Sequence, residues 1–174
     1  MSDTTDAPDD LEALVRLADE IQRVMVERDL TLVTAESCTG GLIGHVLTEV
    51  PGSSDYFVGG LVSYSDRLKR DELGVDASTL EHHGAVSAQT CVAMAEGARH
   101  RYETDLAVAV TGIAGPSGGS DSKPVGLTYV GVADDEGHDV RRHAWDSDRH
   151  TNKLRSARAA LELVLERLGD APRG

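Results

Sequence analysis

Short apolar segments alternate with amphipathic helical segments along the chain, and this alternation constrains the fold more than any other feature. Segments 30–35, 57–64 and 105–110 have the nearly unbroken apolar character of strands that are buried on both faces. In the intervening and flanking segments, apolar residues recur at helical spacing, in 10–28, 42–50, 66–73, 87–102 and 149–168. The pattern predicts an α/β fold, a three-layer α/β/α sandwich, with 105–110 as its central strand because that segment is the most continuously apolar.

The remaining segments predict a hairpin and the connections between the elements. Residues 125–133 and 140–145 form the hairpin, around a turn at 134–137. Residues 75–86 are expected to be a connector without regular structure. The paired glycines at Gly59 and Gly60 predict a bulge or a close approach of two backbones.

A chain of 174 residues is sufficient for one domain, which we place at 10–170. Residues 1–9 are acidic and polar, and we expect them to form a disordered tail. They are unlike a signal peptide, which has a basic start and an apolar middle. No apolar run approaches the ~20 residues that span a bilayer. We therefore expect a cytoplasmic protein without a membrane partner.

The charge balance argues against a nucleic-acid partner. Thirty acidic residues against 17 basic ones give a formal net charge of −13, whereas nucleic-acid affinity rests on lysine and arginine. Only three residues are lysine, and aromatic residues make up 3% of the chain. An acidic, lysine-poor surface is typical of proteins that work in concentrated salt. We interpret the composition as halophilic adaptation, with an ordinary acidic protein as the alternative.

The first candidate for chemistry is the turn between strand 30–35 and helix 42–50. Ser37 stands at the end of the strand, where a nucleophile can reach substrate. Thr39, Gly40 and Gly41 follow, and backbone N–H groups at a helix start can bind an anion or a developing oxyanion. In the alternative interpretation, Ser37 or Thr39 only caps the helix and the glycines allow close contact between elements. The turn lacks the G-x-S-x-G pattern, because Ala35 replaces the first glycine.

Lys69 is the second candidate, because it follows a buried strand in a chain that almost avoids lysine. A desolvated lysine beside a serine has a lowered pKa and can act as a general base. Tyr64, at the end of the preceding strand, is placed to orient it. No accompanying signature marks a histidine as the base instead.

A metal site is not expected. His82 and His83 are adjacent, so they point in different directions on a regular element, and no third ligand accompanies them. Two cysteines, Cys38 and Cys91, are too few for a metal cluster or a disulfide framework, and Cys91 fits a small core residue of a helix.

Residues 111–124 form the third candidate, a glycine-rich loop that contains two prolines. Its backbone offers several N–H donors, beginning at Thr111 and Gly112. Arg149, at the start of the last helix, can clamp a phosphate with two hydrogen bonds. The alternative is a structural loop and a surface arginine.

Taken together, these motifs resemble the CinA C-terminal domain family, in order and across residues 11–168. The motifs are TAESCTGG at 34–41, PGSS at 51–54, VSYS at 62–65 with Lys69, TGIAGP at 111–116 and KPVG at 123–126. The resemblance implies hydrolysis of the carboxamide of nicotinamide mononucleotide to nicotinic acid mononucleotide and ammonia. It implies a serine–lysine pair, no metal, no cofactor and a homo-oligomer.

Carried over to this chain, the resemblance implies that Ser37 is the nucleophile, Lys69 its general base and Tyr64 the residue that positions the lysine and the substrate. The remaining expected contacts are with the substrate: the backbone near Thr39, Gly40 and Gly41 for the oxyanion, Thr111 and Gly112 for the nucleotide, and Arg149 for its phosphate. The chain departs from the family in two places. Ser147 stands where the family usually has glycine, and 117–122 is a more polar version of the family's loop.

Two other functions remain open. The same mechanism can act on another pyridine nucleotide or a different amide. Alternatively, the chain is a non-catalytic module that binds a nucleotide or a protein partner through loop 111–124. The first alternative predicts turnover of other amides, and the second predicts binding without ammonia release that depends on Ser37.

Overall fold

A five-stranded mixed sheet with six helices makes up the computed structural model, which describes residues 10–170. The strands are β1 (Leu32–Glu36), β2 (Phe57–Val62), β3 (Leu106–Gly112), β4 (Leu127–Asp134) and β5 (Gly137–Ala144). The helices are α1 (Leu11–Glu27), α2 (Leu42–Thr48), α3 (Asp66–Leu73), α4 (Ala77–His83), α5 (Ala88–Tyr102) and α6 (Arg149–Asp170).

The sheet has the strand order β2-β1-β3-β4-β5, so β3 is central, as its apolar sequence predicts. Strands β1, β2 and β3 are parallel, and β4 and β5 are antiparallel to their neighbours. Every residue of β1 is buried, because helices cover both faces of the sheet. Strand β5, at the edge, is mostly exposed and therefore has many polar residues.

Helices lie on both faces of the sheet, which confirms the three-layer α/β/α architecture. One hydrophobic core lies between the sheet and α1, α2 and α6, and includes Ile21, Leu47 and Leu161. A second, smaller core lies under α5, with α3 and α4 packed against that helix, and includes Met94 and the fully buried Cys91.

The structure differs from the predicted elements at two places. The predicted connector 75–86 contains helix α4, whose short apolar pattern offers only Leu80 to the second core. The predicted hairpin turn at 134–137 is shorter, because only two residues separate β4 from β5. There the Asp134 carboxylate accepts a 2.9 Å hydrogen bond from the Glu136 backbone N–H.

The predicted close approach at the paired glycines is present. The register between β1 and β2 shifts at Leu32 and Val33, next to Phe57 and Gly59. A Cβ atom on Gly60 would lie 2.2 Å from the Thr34 hydroxyl oxygen, so only glycine fits there.

Residues 1–9, expected to be a tail, lie outside the described residues. No helix within 10–170 is both long enough and apolar enough to cross a membrane.

Candidate active site

The carboxyl ends of the three parallel strands meet at one edge of the sheet, where ligands of open α/β sheets usually bind. A pocket of about 250 Å³ opens at this edge. Its walls include Ser37 after β1, Tyr64 after β2 and Thr111 near the end of β3. Lys69 of α3 and Arg149 of α6 complete the set of predicted side chains that the fold brings together.

Ser37 and Lys69, 32 residues apart in the sequence, are hydrogen-bonded in this pocket. The Lys69 Nζ lies 3.1 Å from the Ser37 Oγ. It also donates to the carbonyl oxygens of Ser63, at 2.8 Å, and Tyr64, at 3.2 Å. Lys69 is 1% exposed and Ser37 is 7% exposed. Helix α3, capped at its start by the Ser65 hydroxyl, returns Lys69 to the end of β2.

The surroundings of Lys69 favour the neutral amine. Burial lowers the pKa of Lys69 from its ordinary value of 10.5, against a smaller opposing effect of Asp66. A neutral amine has two N–H donors and one lone pair. As an ammonium, Lys69 donates to the Ser37 hydroxyl oxygen and to the carbonyl oxygens of Ser63 and Tyr64; as a neutral amine, it can keep the two bonds to the carbonyls and present its lone pair to the Ser37 hydroxyl. The contacts therefore hold the Lys69 nitrogen against the Ser37 hydroxyl oxygen.

Tyr64 contributes to the pocket in two ways. Its main-chain carbonyl accepts a hydrogen bond from the Lys69 nitrogen, and the residue lines the pocket and is 60% exposed. The sequence points to the tyrosine side chain as the group that positions the lysine, but the bond that does so belongs to the backbone.

The buried carboxylate of Glu36 organises the turn after Ser37. It accepts four hydrogen bonds, from the Thr39 hydroxyl at 2.6 Å and the backbone N–H groups of Gly41, Ile43 and Gly44 at 3.1, 3.1 and 2.8 Å. Glu36 is 1% exposed. It thereby satisfies the N–H groups at the start of α2 that otherwise lack a partner.

Thr39, Gly40 and Gly41, which the sequence suggests for substrate binding, do not line the pocket. Thr39 and Gly41 donate to Glu36, and the Gly40 N–H donates to the Ser37 carbonyl at 3.0 Å. Gly40 and Gly41 have φ angles of +62° and +99°, a left-handed conformation that favours glycine. These residues shape the turn, and the Thr39 hydroxyl and the N–H groups of Gly40 and Gly41 are already used.

Cys38 lies next to Ser37 in the pocket wall. Burial raises the pKa of its thiol to about 12, so the thiolate nucleophile is absent near neutral pH. Its backbone N–H donates to no other residue within 10–170. This N–H, on the residue that follows Ser37, is therefore available to a ligand of the pocket.

The end of β3, next to Ser37 in the sheet, also forms part of the pocket wall: the Ser37 N–H donates to the Val110 carbonyl at 3.0 Å. The Thr111 hydroxyl donates to the Ala85 carbonyl at 2.8 Å and so holds the segment at Ala85 and Val86, which also lines the pocket. A Cβ atom on Gly112 would lie 2.6 Å from the Thr128 Oγ1 and 3.1 Å from the Cys38 sulfur. Glycine at position 112 therefore allows the end of β3 to lie close to the turn that contains Ser37 and Cys38.

Arg149 is the exposed cation of the pocket. Its Nη1 donates to the Gly115 carbonyl at 2.8 Å, and its other four N–H groups have no acceptor in the described part of the chain. The Asp148 carboxylate caps α6 by accepting from the Thr151 N–H at 2.8 Å. The cap forms although Ser147 stands where the resemblance expects glycine.

Two buried polar residues, Glu36 and Asn152, make structural hydrogen bonds that the sequence does not predict. Glu36 gives one signal, an acidic residue that ends an otherwise apolar strand. Asn152 is 1% exposed, and the sequence carries no signal that marks it as a buried residue. Between Asp10 and Asp170, no group of three or more histidine, cysteine or acidic side chains is placed to hold a metal ion.

Fold and pocket together define an α/β domain whose strand ends hold a buried serine–lysine pair. The family model described as the CinA C-terminal domain matches residues 14–168. The chain therefore belongs to the CinA C-terminal domain family.

Similar proteins and structures agree with this family. The CinA-like protein of Salinibacter ruber is 52% identical over 135 residues, which cover 78% of this chain and 33% of that protein. A putative competence-damage inducible protein of Halothermothrix orenii is 47% identical over 147 residues, 83% of this chain and 35% of that protein. The chain thus spans about a third of the length of the curated relatives it matches.

Among solved structures, a competence/damage inducible protein from Agrobacterium tumefaciens has a TM-score of 0.87 and 44% identity, covering 90% of this chain and 96% of that one. The competence damage-inducible protein A from Klebsiella pneumoniae has a TM-score of 0.88 and 33% identity, covering 91% and 99%. These names refer to competence or damage and specify no reaction.

Proposed function

We propose that this protein hydrolyses the carboxamide of nicotinamide mononucleotide to nicotinic acid mononucleotide and ammonia, through Ser37 and Lys69. The observation that carries the proposal is the 3.1 Å contact between the Lys69 Nζ and the Ser37 Oγ in a pocket that also holds Arg149. The resemblance to the deamidases of the family supports the choice of substrate.

In the first half of the reaction, Ser37 Oγ attacks the carboxamide carbon while the neutral Lys69 amine takes its proton. The carbonyl oxygen becomes an oxyanion, to which we assign the Cys38 N–H as a donor. The Lys69 ammonium then gives its proton to the nitrogen of the substrate. The C–N bond breaks, ammonia leaves, and an ester joins the acyl group to Ser37.

In the second half, water replaces ammonia. Lys69, neutral again, takes a proton from the water as its oxygen attacks the ester carbon. The bond to Ser37 breaks, the proton returns from Lys69 to the Ser37 oxygen, and the carboxylic acid is released. One water is consumed for each ammonia formed, and the pair returns to its starting protonation.

We assign recognition of the nucleotide to Arg149 and the end of β3. Arg149 has four N–H groups available, and it brings a local positive charge to a chain of net charge −13. Thr111, Gly112 and Tyr64 line the same pocket as Arg149 and Ser37. We place the phosphate at Arg149 and the carboxamide at Ser37.

The test is ammonia release in molar KCl from nicotinamide mononucleotide, nicotinamide riboside and nicotinamide. We expect the mononucleotide to be the best substrate, and Ser37→Ala to lower its turnover by ~10⁴-fold or more. If the folded wild type releases ammonia only from another amide, the substrate assignment is wrong. If it binds the mononucleotide and releases no ammonia at any salt concentration, the chain is a binding module.

The proposal extends to the salt concentration, the compartment and the oligomeric state in which the protein works. We propose adaptation to concentrated salt, because acidic residues outnumber basic ones by 30 to 17. We also propose a cytoplasmic homo-oligomer, and the resemblance to the family supports the oligomer. The temperature of unfolding should then rise markedly from low salt to molar KCl. An unchanged temperature of unfolding would favour an ordinary acidic protein, and sedimentation in the same buffers measures the oligomeric state.

A further inference from the structure

Asn152 joins two backbone segments that meet beside the pocket. Its Nδ2 donates to the carbonyl oxygens of Ala114, at 3.0 Å, and Ser147, at 2.9 Å. Its Oδ1 accepts from the Ser147 N–H at 3.2 Å. Ala114 belongs to the pocket wall, and Ser147 belongs to the turn that leads into α6. The amide therefore ties the wall to the start of the helix that carries Arg149.

Arg149 and Asn152 hold neighbouring carbonyl groups of the same wall. Arg149 donates to Gly115, and Asn152 donates to Ala114. The two residues are three positions apart in α6 and therefore lie on one side of the helix. Asn152 is 1% exposed and Arg149 is exposed. The buried contact can fix the geometry while the exposed guanidinium keeps donors for a ligand.

We infer that Asn152 is a positioning residue that fixes Arg149 relative to the wall at Ala114 and Gly115, and thereby sets the distance from the anion-binding guanidinium to Ser37. The inference rests on the proposed function and deepens it. This fixed distance makes the pocket selective for amides that carry an anionic group at the same distance from the reacting carbon.

The chemistry of the amide group explains why asparagine stands at this position. The contacts require two donors and one acceptor from a short side chain, and the asparagine amide offers them in one plane. A carboxylate at the same place would turn an oxygen toward the two carbonyl oxygens and lose both donated bonds. Asn152→Asp therefore loosens the wall with almost no change in side-chain volume.

Ser156 offers a matched control. It lies one turn further along α6, is 2% exposed, and its hydroxyl donates to the Asn152 carbonyl at 2.7 Å and accepts from the Trp145 Nε1 at 2.9 Å. It does not line the pocket. Ser156→Ala thus removes buried hydrogen bonds from the same part of α6 without releasing the wall.

The experiment compares wild type, Asn152→Asp and Ser156→Ala in two measurements. The first is amide hydrogen exchange at Ile113 and Gly126, whose N–H groups donate to Leu127 and Ile113 carbonyls at 2.8 and 2.7 Å. The second is kcat and KM for nicotinamide mononucleotide. We include Asn152→Ser, which keeps one donor, in case the aspartate variant does not fold.

We expect the Asn152 variants to exchange faster at these amides and to raise KM about 10-fold to 10²-fold with kcat within about 2-fold. Ser156→Ala should lower the temperature of unfolding and leave both measurements near wild type. Unchanged exchange, or a kcat that falls as far as KM rises, overturns the inference. If the wild type has no turnover, the proposed function fails and the exchange measurement alone decides the role of Asn152.

Discussion

The two ends of the pocket are built differently. At the nucleophile end, Ser37 and Lys69 are buried, and all three hydrogen-bonding positions of the Lys69 nitrogen have partners. At the recognition end, Arg149 is exposed and uses one of its five N–H groups. Under the proposed function, folding alone fixes the reacting groups, while the guanidinium of Arg149 keeps hydrogen-bond donors for the ligand. Substitutions should therefore lower kcat at the first end and raise KM at the second.

The largest effect that sharpens this comparison is expected from Lys69→Met. Methionine keeps the buried volume and removes the base, so kcat should fall by about 10²–10⁴-fold with little change in KM. The measurement is steady-state ammonia release from nicotinamide mononucleotide. Arg70→Met, an exposed cation on the same helix, is the control and should retain wild-type kcat. A normal kcat in folded Lys69→Met would remove Lys69 from the mechanism.

The pH dependence of the wild type tests the same residue. In the proposed mechanism the neutral amine is the active form, and burial lowers the pKa of Lys69 below 10.5. Activity should therefore be low at acid pH and rise as pH increases through this lowered pKa. A profile of kcat/KM against pH measures it. A rate that falls over this range as the amine loses its proton would contradict a role as base.

Next in size is the effect of Glu36→Gln on stability. The amide would turn donors toward N–H groups that now donate to the carboxylate, so the free energy of unfolding should fall by roughly 2–4 kcal/mol. Denaturant unfolding measures it. Thr39→Val removes one of the four bonds and should cost about 1 kcal/mol. Equal losses in the two variants would show that Glu36 does not organise the nucleophile end.

Tyr64→Ala separates the two ends within one residue. The substitution removes an exposed pocket wall but keeps the main-chain carbonyl that binds Lys69. We expect KM for the mononucleotide to rise about 3- to 10-fold and kcat to stay within about 2-fold, an order of magnitude typical of one lost substrate contact. Steady-state kinetics of ammonia release measures both constants. A kcat loss comparable to that of Lys69→Met would assign the positioning of the lysine to the phenol.

The smallest effect is expected from Cys38→Ala. The high thiol pKa makes the sulfur a poor nucleophile, and the backbone N–H at position 38 remains after the substitution. Turnover should stay within about 2-fold of wild type. If the loss equals that of Ser37→Ala, the assignment of the nucleophile to serine is wrong.

The sequence predicted the layers and the central strand because both follow from side-chain patterns. Helical spacing in 149–168 and the apolar run at 105–110 report directly which faces are buried. Ser37 and Lys69 could be paired only through the scarcity of lysine and the family resemblance. Their contact depends on the fold, which joins residues 32 positions apart.

The parts that sequence reasoning missed depend on backbone groups, which leave no pattern in the sequence. The glycine turn suggested free N–H donors, but Glu36 already accepts from Gly41, Ile43 and Gly44. The Tyr64 carbonyl that holds Lys69 would be present with any side chain. Helix α4 was not predicted because it contributes one residue, Leu80, to the second core, and one apolar residue shows no helical period.

The most direct test of the central claim is interception of the acyl group on Ser37 by hydroxylamine during turnover of nicotinamide mononucleotide. If an ester forms on Ser37, hydroxylamine competes with water for it. The product should then divide between nicotinic acid mononucleotide and its hydroxamate, in a ratio that rises with hydroxylamine concentration, and Ser37→Ala should form neither. Turnover that yields only the acid at every hydroxylamine concentration, or hydroxamate formation by Ser37→Ala, would contradict nucleophilic catalysis by Ser37.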